Sequence, residues 1–542
     1  MRIEDIYLEP GNPLLKDFFR SFEQVSDFYM YDPKDEIRGF AMRGEYLKHK
    51  KDRVPRRQLV QVLRDYHGTD LFHPAVQANL ERLEQPDCLV VIGGQQAGLM
   101  SGPLYTLYKG ITLIQLAQRE EERLGVPVVP VFWIAGEDHD LEEVNHILLP
   151  GEKNPIRHGV YFQEERRVSV GEICLNQDTL RPWMAGLEEL LPDSRYKKEL
   201  IITLKELLGE NLSWTRHFSR IMHHLFGRYG LIQIDSADPA LRKLEVPFFQ
   251  WILDQNQGLE QAVSEQADKM KRKGYVPQVE LQPGQAHLFI RDQGERRVLF
   301  REGDGFRTRE GDRHWSKGEL EAHLIRFPED FSNNVITRPL MQEYLFPVLA
   351  TVLGPGEIAY WGLLKKAFSL ADMEMPPLYP RISLTIVERS VQKQMRRFGL
   401  SVYDVFYHLD ETKSTWLQKN LPLDLKSIIR DMKKEIHEIY APAVQKMGLL
   451  RDDLKQIGIR NQEKVLREVE DLEKRAQKVT EEIMEVDLRR FAEMEKMLYP
   501  QGELQERLYN ILPYWNRYGE EWLHRLIQTS LLSSENHRVV YL

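Results

Sequence analysis

The clearest hydrophobic pattern in this chain runs from Leu89 to Ala117. Leu89–Ile92 is a short, β-branched apolar run, the pattern of a strand buried on both faces. Gly93, Gly94, Gly98 and Gly102 follow, so the backbone can turn sharply and stay open to a ligand. Pro103 suits a first helical position, with Ser101 or Gly102 as cap. Leu104, Leu107, Tyr108, Ile111 and Ile114 then recur at helical spacing and predict one apolar face. Strand, glycine loop and helix start are the parts from which α/β folds build anion and nucleotide sites. The loop matches neither G-x-G-x-x-G nor G-x-x-x-x-G-K-[ST], so a plain tight turn stays open beside a ligand turn. Gln95 and Gln96 tilt the reading toward a ligand, because paired amides on a turn suit hydrogen bonding.

A second buried strand is predicted over Val126–Ala135, running into Gly136-Glu137-Asp138-His139-Asp140 and then Glu142, Glu143 and His146. Acids at a helix start would favour its dipole. Three acids around a histidine, directly after a Phe-Trp strand, point instead to chemistry. Tyr229–Asp235 predicts a third strand, with Pro239 opening a helix. Ligands of open parallel sheets sit beyond the carboxyl ends of the strands. The amide cluster and the acid cluster both stand at such ends, one helical crossover apart. They are therefore expected to line one pocket.

Elsewhere the pattern changes character. Pro13–Phe22 and Pro74–Leu83 read as short helices, and 151–228 is polar and mostly helical. Residues 275–325 alternate and turn at glycine, as antiparallel hairpins do, and form a β-rich insertion. Residues 326–390 carry a third polar cluster. Asn334 and Arg338 precede a helical run, Gly354-Pro355-Gly356-Glu357 is a sharp turn before Tyr360, Trp361 and Lys365, and Arg381 follows Pro380. Arg338, Lys365 and Arg381 are the anion partners to expect. In 391–499, Val465, Val469, Leu472, Ala476, Val479, Ile483 and Val486 step by four and three, a heptad seam with charged flanks. A break at Gly458–Asn461 predicts two long antiparallel helices joined there. His537–Leu542 reads as a strand returning to the main body.

The expected fold is α/β: a Rossmann-like parallel-sheet core with inserted connecting segments and a long α-helical coiled-coil arm. Core segments would be 1–150, 229–274 and 326–390, with 500–542 returning to them. The length itself calls for more than one domain. A net charge of −9 argues against nucleic acid and anionic membranes as partners. Two cysteines, Cys88 and Cys174, leave no disulfide framework and point to a reducing cytoplasm. Cys88, beside a buried strand, reads as a small packed residue. No apolar span of transmembrane length and no signal-peptide layout occur.

Four stretches together, GGQQAGLMSGPLYTLYK (93–109), VFWIAGEDHDLEEVNH (131–146), FSNNVITRPLMQE (331–343) and GPGEIAYWGLLKKAF (354–368), are similar to the BshC family, the cysteine ligases of bacillithiol biosynthesis. MPPLYPRIS (375–383) and the arm add to the resemblance, which covers essentially the whole chain. The resemblance implies ligation of L-cysteine to the amine of glucosaminyl-malate, and a homodimer through the coiled coil. It also implies likeness to class I aminoacyl-tRNA synthetases, which hold ATP on an H-x-G-H loop. Here that place reads Gly94-Gln95-Gln96-Ala97-Gly98, and no K-M-S-K-S occurs.

Joining a carboxylate to an amine requires activation, for which ATP is the expected cosubstrate. Gly93, Gly94, Gln95, Gln96, Gly98 and Gly102, with the helix start near Pro103, would hold it, Lys109 being a further phosphate partner. Asp138 or His139 would take the proton of the attacking ammonium, with Asp140 orienting His139. Glu137, Asn334, Tyr360, Trp361 and Lys365 are candidate substrate contacts, and Arg338 and Arg381 would pair with malate carboxylates. Two other readings stand beside this one. Asp138, His139, Asp140 and His146 are ligand types for a metal-dependent hydrolase, although H-x-x-x-H spacing is absent. A nucleotide-binding scaffold working through its coiled coil is the third. For the ligase, no metal is expected.

Overall fold

The computed structural model describes residues 2–51, 53–152, 154–161, 168–209, 211–309, 311–420, 424–532 and 536–542. Parts of the expected 151–228 insertion (153, 162–167 and 210) lie outside the described residues. The centre is a five-stranded sheet: β1 (Leu89–Gln95), β2 (Val128–Ile134), β3 (Ile232–Asp235), β4 (Val348–Leu353) and β5 (Leu378–Pro380). Its spatial order is β5-β4-β1-β2-β3, and every neighbouring pair is parallel. The chain thus runs outward from β1 to β3, then crosses to the far side of β1. That reversal, between β1 and β4, is the switch point of a Rossmann-like sheet.

The strands are apolar on both faces, and the period of two sorts their side chains. Val90, Ile92, Val129, Val131 and Trp133 join the core under the N-terminal helices. Leu89, Val91, Val128, Phe132 and Ile134 join the core beneath α1 (Leu104–Leu124). This helix buries the expected Leu104, Leu107, Tyr108, Ile111 and Ile114 together with Thr106, Lys109 and Thr112. It is therefore enclosed nearly all round along its first four turns rather than on one stripe. Gly125, in the left-handed region at φ 66°, ends it.

Between the glycine loop and α1, Gly98 and Gly102 touch. A Cβ on Gly98 would lie 2.6 Å from Gly102 Cα, so the loop folds flat on itself only with glycine there.

The β-rich insertion is an antiparallel five-stranded sheet ordered His314–Ser316, Gly305–Thr308, Glu295–Glu302, Gln285–Asp292, Phe331–Asn333. Its last strand runs straight into the helix carrying Arg338, so the insertion leans on the core beside the switch point. A third sheet pairs Arg2–Ile6 with His537–Tyr541, and the latter with Leu384–Val387. The returning C-terminal strand is thus present, and it ties both ends of the chain together.

The arm consists of α3 (Leu425–Gly448) and α4 (Asp452–Ile483). They are antiparallel: Lys433 pairs with Glu473, and Tyr440 with Asn461. The junction differs from expectation. It is the short turn at Leu449–Arg451, and Gly458–Asn461 lies inside α4. Gly458 faces Val444, where a Cβ would come within 2.7 Å, so it marks a close helix approach and not a break. Among the described residues no helix is long and apolar enough to cross a membrane.

Candidate active site

A cavity of about 630 Å³ opens at the switch point. The carboxyl end of β1 supplies Gly94, Gln95 and Gln96, and that of β2 leads to Glu137, Asp138 and His139. From β4 come Gly354, Pro355, Gly356 and Glu357, and from β5 comes Arg381. The amide loop and the acid loop therefore share one cavity, as the strand order requires. The Gln96 Nε2 amide donates to Asp138 Oδ2 at 2.7 Å and joins the two loops directly.

Asp138 sits where opposing effects compete. Burial pushes its carboxyl up, but the Gln96 amide, the Arg296 guanidinium and the His139 N–H outweigh it and hold the group below the usual value. Arg296 comes from the insertion strand Glu295–Glu302. Its guanidinium lies 3.7 Å from the Phe289 ring centroid, donates to Ser332 Oγ and the Asn333 carbonyl, and reaches His139 Nδ1 at 3.2 Å. An arginine only donates. His139 Nδ1 is therefore the acceptor, and the ring proton sits on Nε2.

Beneath the cavity floor, Lys109 is wholly buried. Its ammonium donates to the Gly94 carbonyl at 2.6 Å, to Gln95 Oε1 at 3.1 Å and to Glu357 Oε2 at 2.6 Å. Burial lowers the lysine's proton affinity and Glu357 opposes that. Glu357 is the third residue of the helix α2 (Pro355–Trp361) and also accepts the Gly354 N–H at 2.8 Å. Arg338 donates to the Tyr360 hydroxyl at 2.6 Å and lies 3.5 Å from Glu357. Arg381 pairs with Glu506 at 2.9 Å and lies near the Tyr105 ring. Arg338, Arg381 and Arg507 make this end of the cavity cationic.

Several expected site residues fall elsewhere. Trp361 is 1% exposed and packs against Phe368 in the core. Lys365 donates to the carbonyls of Ser26 and Tyr29, anchoring the N-terminal region. Asp140 is exposed and outside the cavity lining, whereas Arg296 is the group that reaches His139. Gly93 lies within β1 against Val352, and Gly98 and Gly102 pack on each other, so Gly94 is the loop glycine that lines the cavity. Lys109 is engaged by Glu357 and is no phosphate partner. The start of α1 is also covered: the Leu104 N–H is taken by the Tyr509 carbonyl, and Asn510 binds the carbonyls of Met100 and Gly102. The metal-hydrolase reading finds no support, since among the described residues no group of three His, Cys, Asp or Glu is placed to hold an ion. Burial raises the Cys88 thiol to about 12, which suits packing and not nucleophilic attack.

A second cavity, about 730 Å³, lies behind Glu137 and Arg296, which line both. Glu137 is locked there by Arg242, which also holds Glu245 at 2.6 Å. On its wall, burial raises the Asp235 carboxyl from 3.8 to about 6, against hydrogen bonds from Thr215 and the Ala237 N–H. The folded-state value exceeds the unfolded one. The carboxyl's contribution to stability is thus complete below about pH 3.8 and lost as pH rises through about 6. Above that, the buried carboxylate costs roughly 3 kcal/mol. Asp235→Asn removes the titration. Its melting temperature relative to the parent protein is expected to rise by a few degrees between pH 5 and pH 8. A difference that stays flat contradicts the assignment.

Two family models divide the chain between them. "Bacillithiol biosynthesis BshC, N-terminal Rossmann-like domain" matches residues 1–382, and "Bacillithiol biosynthesis BshC, C-terminal coiled-coil domain" matches residues 384–542. Proteins named "Putative cysteine ligase BshC" align over the full length of both chains, at 36% identity in Geobacillus sp. (strain WCH70) and 34% in Bacillus velezensis. A solved structure titled as an arginyl-tRNA synthetase of Campylobacter jejuni covers 76% of the chain and 90% of its own, at 11% identity and a TM-score of 0.18, too low to bear on the fold. The loops that build the switch-point cavity and the heptads of the arm are thus those of a known group, and the chain belongs to the BshC family.

Proposed function

We propose that the switch-point cavity joins the carboxyl group of L-cysteine to the amine of glucosaminyl-malate, as the last step of bacillithiol biosynthesis in the cytoplasm. The observation that carries this reading is the meeting of the Gln96 and Asp138 loops in one cavity whose other end is cationic. An amide forms from a free carboxylate only after activation, and ATP is the proposed activator. Arg338 and Arg381 face the dicarboxylate of the malate end, where planar guanidiniums suit carboxylates. The amine arrives as an ammonium and must lose a proton before its lone pair can attack. His139 carries its ring proton on Nε2 and has Nδ1 engaged, so it has no free lone pair to offer. Asp138, kept ionised, pairs with the ammonium and takes up the proton it loses, while the phosphate group that activated the cysteine carboxyl leaves as the amide bond forms.

Asp138→Asn keeps the size and the Gln96 contact but removes the charge. Bacillithiol in cells that depend on the variant is expected to fall by about a hundredfold or more, measured as the derivatised thiol. Unchanged thiol levels would remove Asp138 from the reaction.

We infer that the arm pairs two copies of the chain. Leu472, Val479, Ile483 and Val486, all on the heptad seam, remain 51–63% exposed after α3 has packed on α4. An apolar stripe of that length calls for a second helix pair. Replacing Leu472, Val479 and Ile483 by Glu is expected to convert a dimer to a monomer in light scattering, with the fold retained by circular dichroism. A dimer that persists assigns the contact to another surface.

A further inference from the structure

The cavity has a third side, built by the β-rich insertion, which differs in chemistry from the other two. His287, Asn333, Asn334, Val335 and Ile336 line it, with the charged Arg296 and Glu280 beside them. His287 is 2% exposed and Asn333 1%. Burial lowers the His287 imidazole to about 4, so it is neutral at physiological pH. Asn334 Nδ2 lies 3.3 Å from His287 Nδ1, where the amide donates to the ring. The ring proton is then on Nε2, and that donor has no partner. Both amide atoms of Asn333 are unpartnered as well. Buried polar groups are ordinarily satisfied, so two neighbouring residues on one cavity wall with donors and an acceptor to spare are open to a ligand. The backbone agrees. His287 has φ +57°, a strained value for a residue with a side chain, and its carbonyl is fixed by the Thr337 hydroxyl at 2.9 Å.

We propose that His287 and Asn333 form an uncharged subsite for the hydroxyl groups of a sugar ring. Neutral donors and an acceptor beside apolar Val335 and Ile336 suit a pyranose, whose faces are apolar and whose edge is hydroxylated. A dicarboxylate is matched better by the paired guanidiniums at the arginine end. The assignment rests on the function proposed above. It sets the acceptor substrate across the cavity, its sugar against the insertion, its dicarboxylate at Arg338 and Arg381, and its ammonium at Asp138. A nucleoside ribose carries the same hydroxyl chemistry and is the competing occupant.

Calorimetric titration of the full-length protein with glucosaminyl-malate, L-malate and ATP separates these cases. Asn333→Ala is expected to weaken glucosaminyl-malate binding by about tenfold while leaving malate within about twofold. His287→Ala should do the same, and His287→Gln, which keeps an N–H near the Nε2 position, should recover most of the loss. If Asn333→Ala fails to fold, Asn333→Ser is the variant measured. Equal losses for malate and glucosaminyl-malate, no loss at all, or a loss confined to ATP would overturn the sugar subsite and leave the ligase reading intact. A parent protein that binds no glucosaminyl-malate would overturn both.

Discussion

The buried ammonium of Lys109 constrains everything above it. A charge with almost no exposure must be matched by acceptors, and breaking such a match by removing one partner costs about 3–5 kcal/mol. Its acceptors come from two strands that are distant in sequence: Gly94 and Gln95 at the end of β1, and Glu357 just past β4. The ion pair therefore sets the spacing across the switch point. Glu357 uses the same oxygen to cap its own helix start, so the turn at Gly354–Glu357 is fixed with it. On this floor stand the groups proposed for chemistry. Gln96 follows Gln95 and reaches Asp138, and Arg338 stands over Glu357.

Charge is arranged around the cavity in three sectors, and each follows from the element that supplies it. The β1 and β2 loops provide amides and two carboxylates, Glu137 held by Arg242 and Asp138, of which Asp138 suits an ammonium. The helix before β4, the segment after β5 and the C-terminal segment provide the guanidiniums of Arg338, Arg381 and Arg507, which suit carboxylates. The insertion provides the neutral, unsatisfied His287 and Asn333 beside the charged Arg296 and Glu280. An amino sugar bearing a dicarboxylate presents those three chemistries in one molecule. Arg296 links the sectors, because it leaves the insertion sheet to contact both Asp138 and His139. Insertion and core are thus joined at the acid loop itself, and a shift of the insertion would be felt there.

Much of this was legible in the sequence. The strand–glycine–helix unit at 89–124 has local periodicity strong enough to read directly. The meeting of its loop with Glu137–His139 follows from the general rule for parallel sheets. Local pattern is silent where position depends on three-dimensional packing. Tyr360 and Trp361 are neighbours in sequence, but one residue is about 100° of helix rotation, so one lines the cavity and the other enters the core. Gly458 looks like a helix breaker until its neighbour Val444 is known. Arg296 lies in a strand dense with charge, and nothing in GERRVLFRE distinguishes the residue that turns inward. The cover that Tyr509 and Asn510 place over the start of α1 comes from more than 400 residues away.

A crystal structure of the protein with bound glucosaminyl-malate tests the central claim most directly. The account predicts the amine within hydrogen-bonding distance of Asp138 and the malate carboxylates at Arg338 and Arg381. Glucosaminyl-malate bound outside the switch-point cavity, or bound within it with the amine turned away from Asp138, would contradict it.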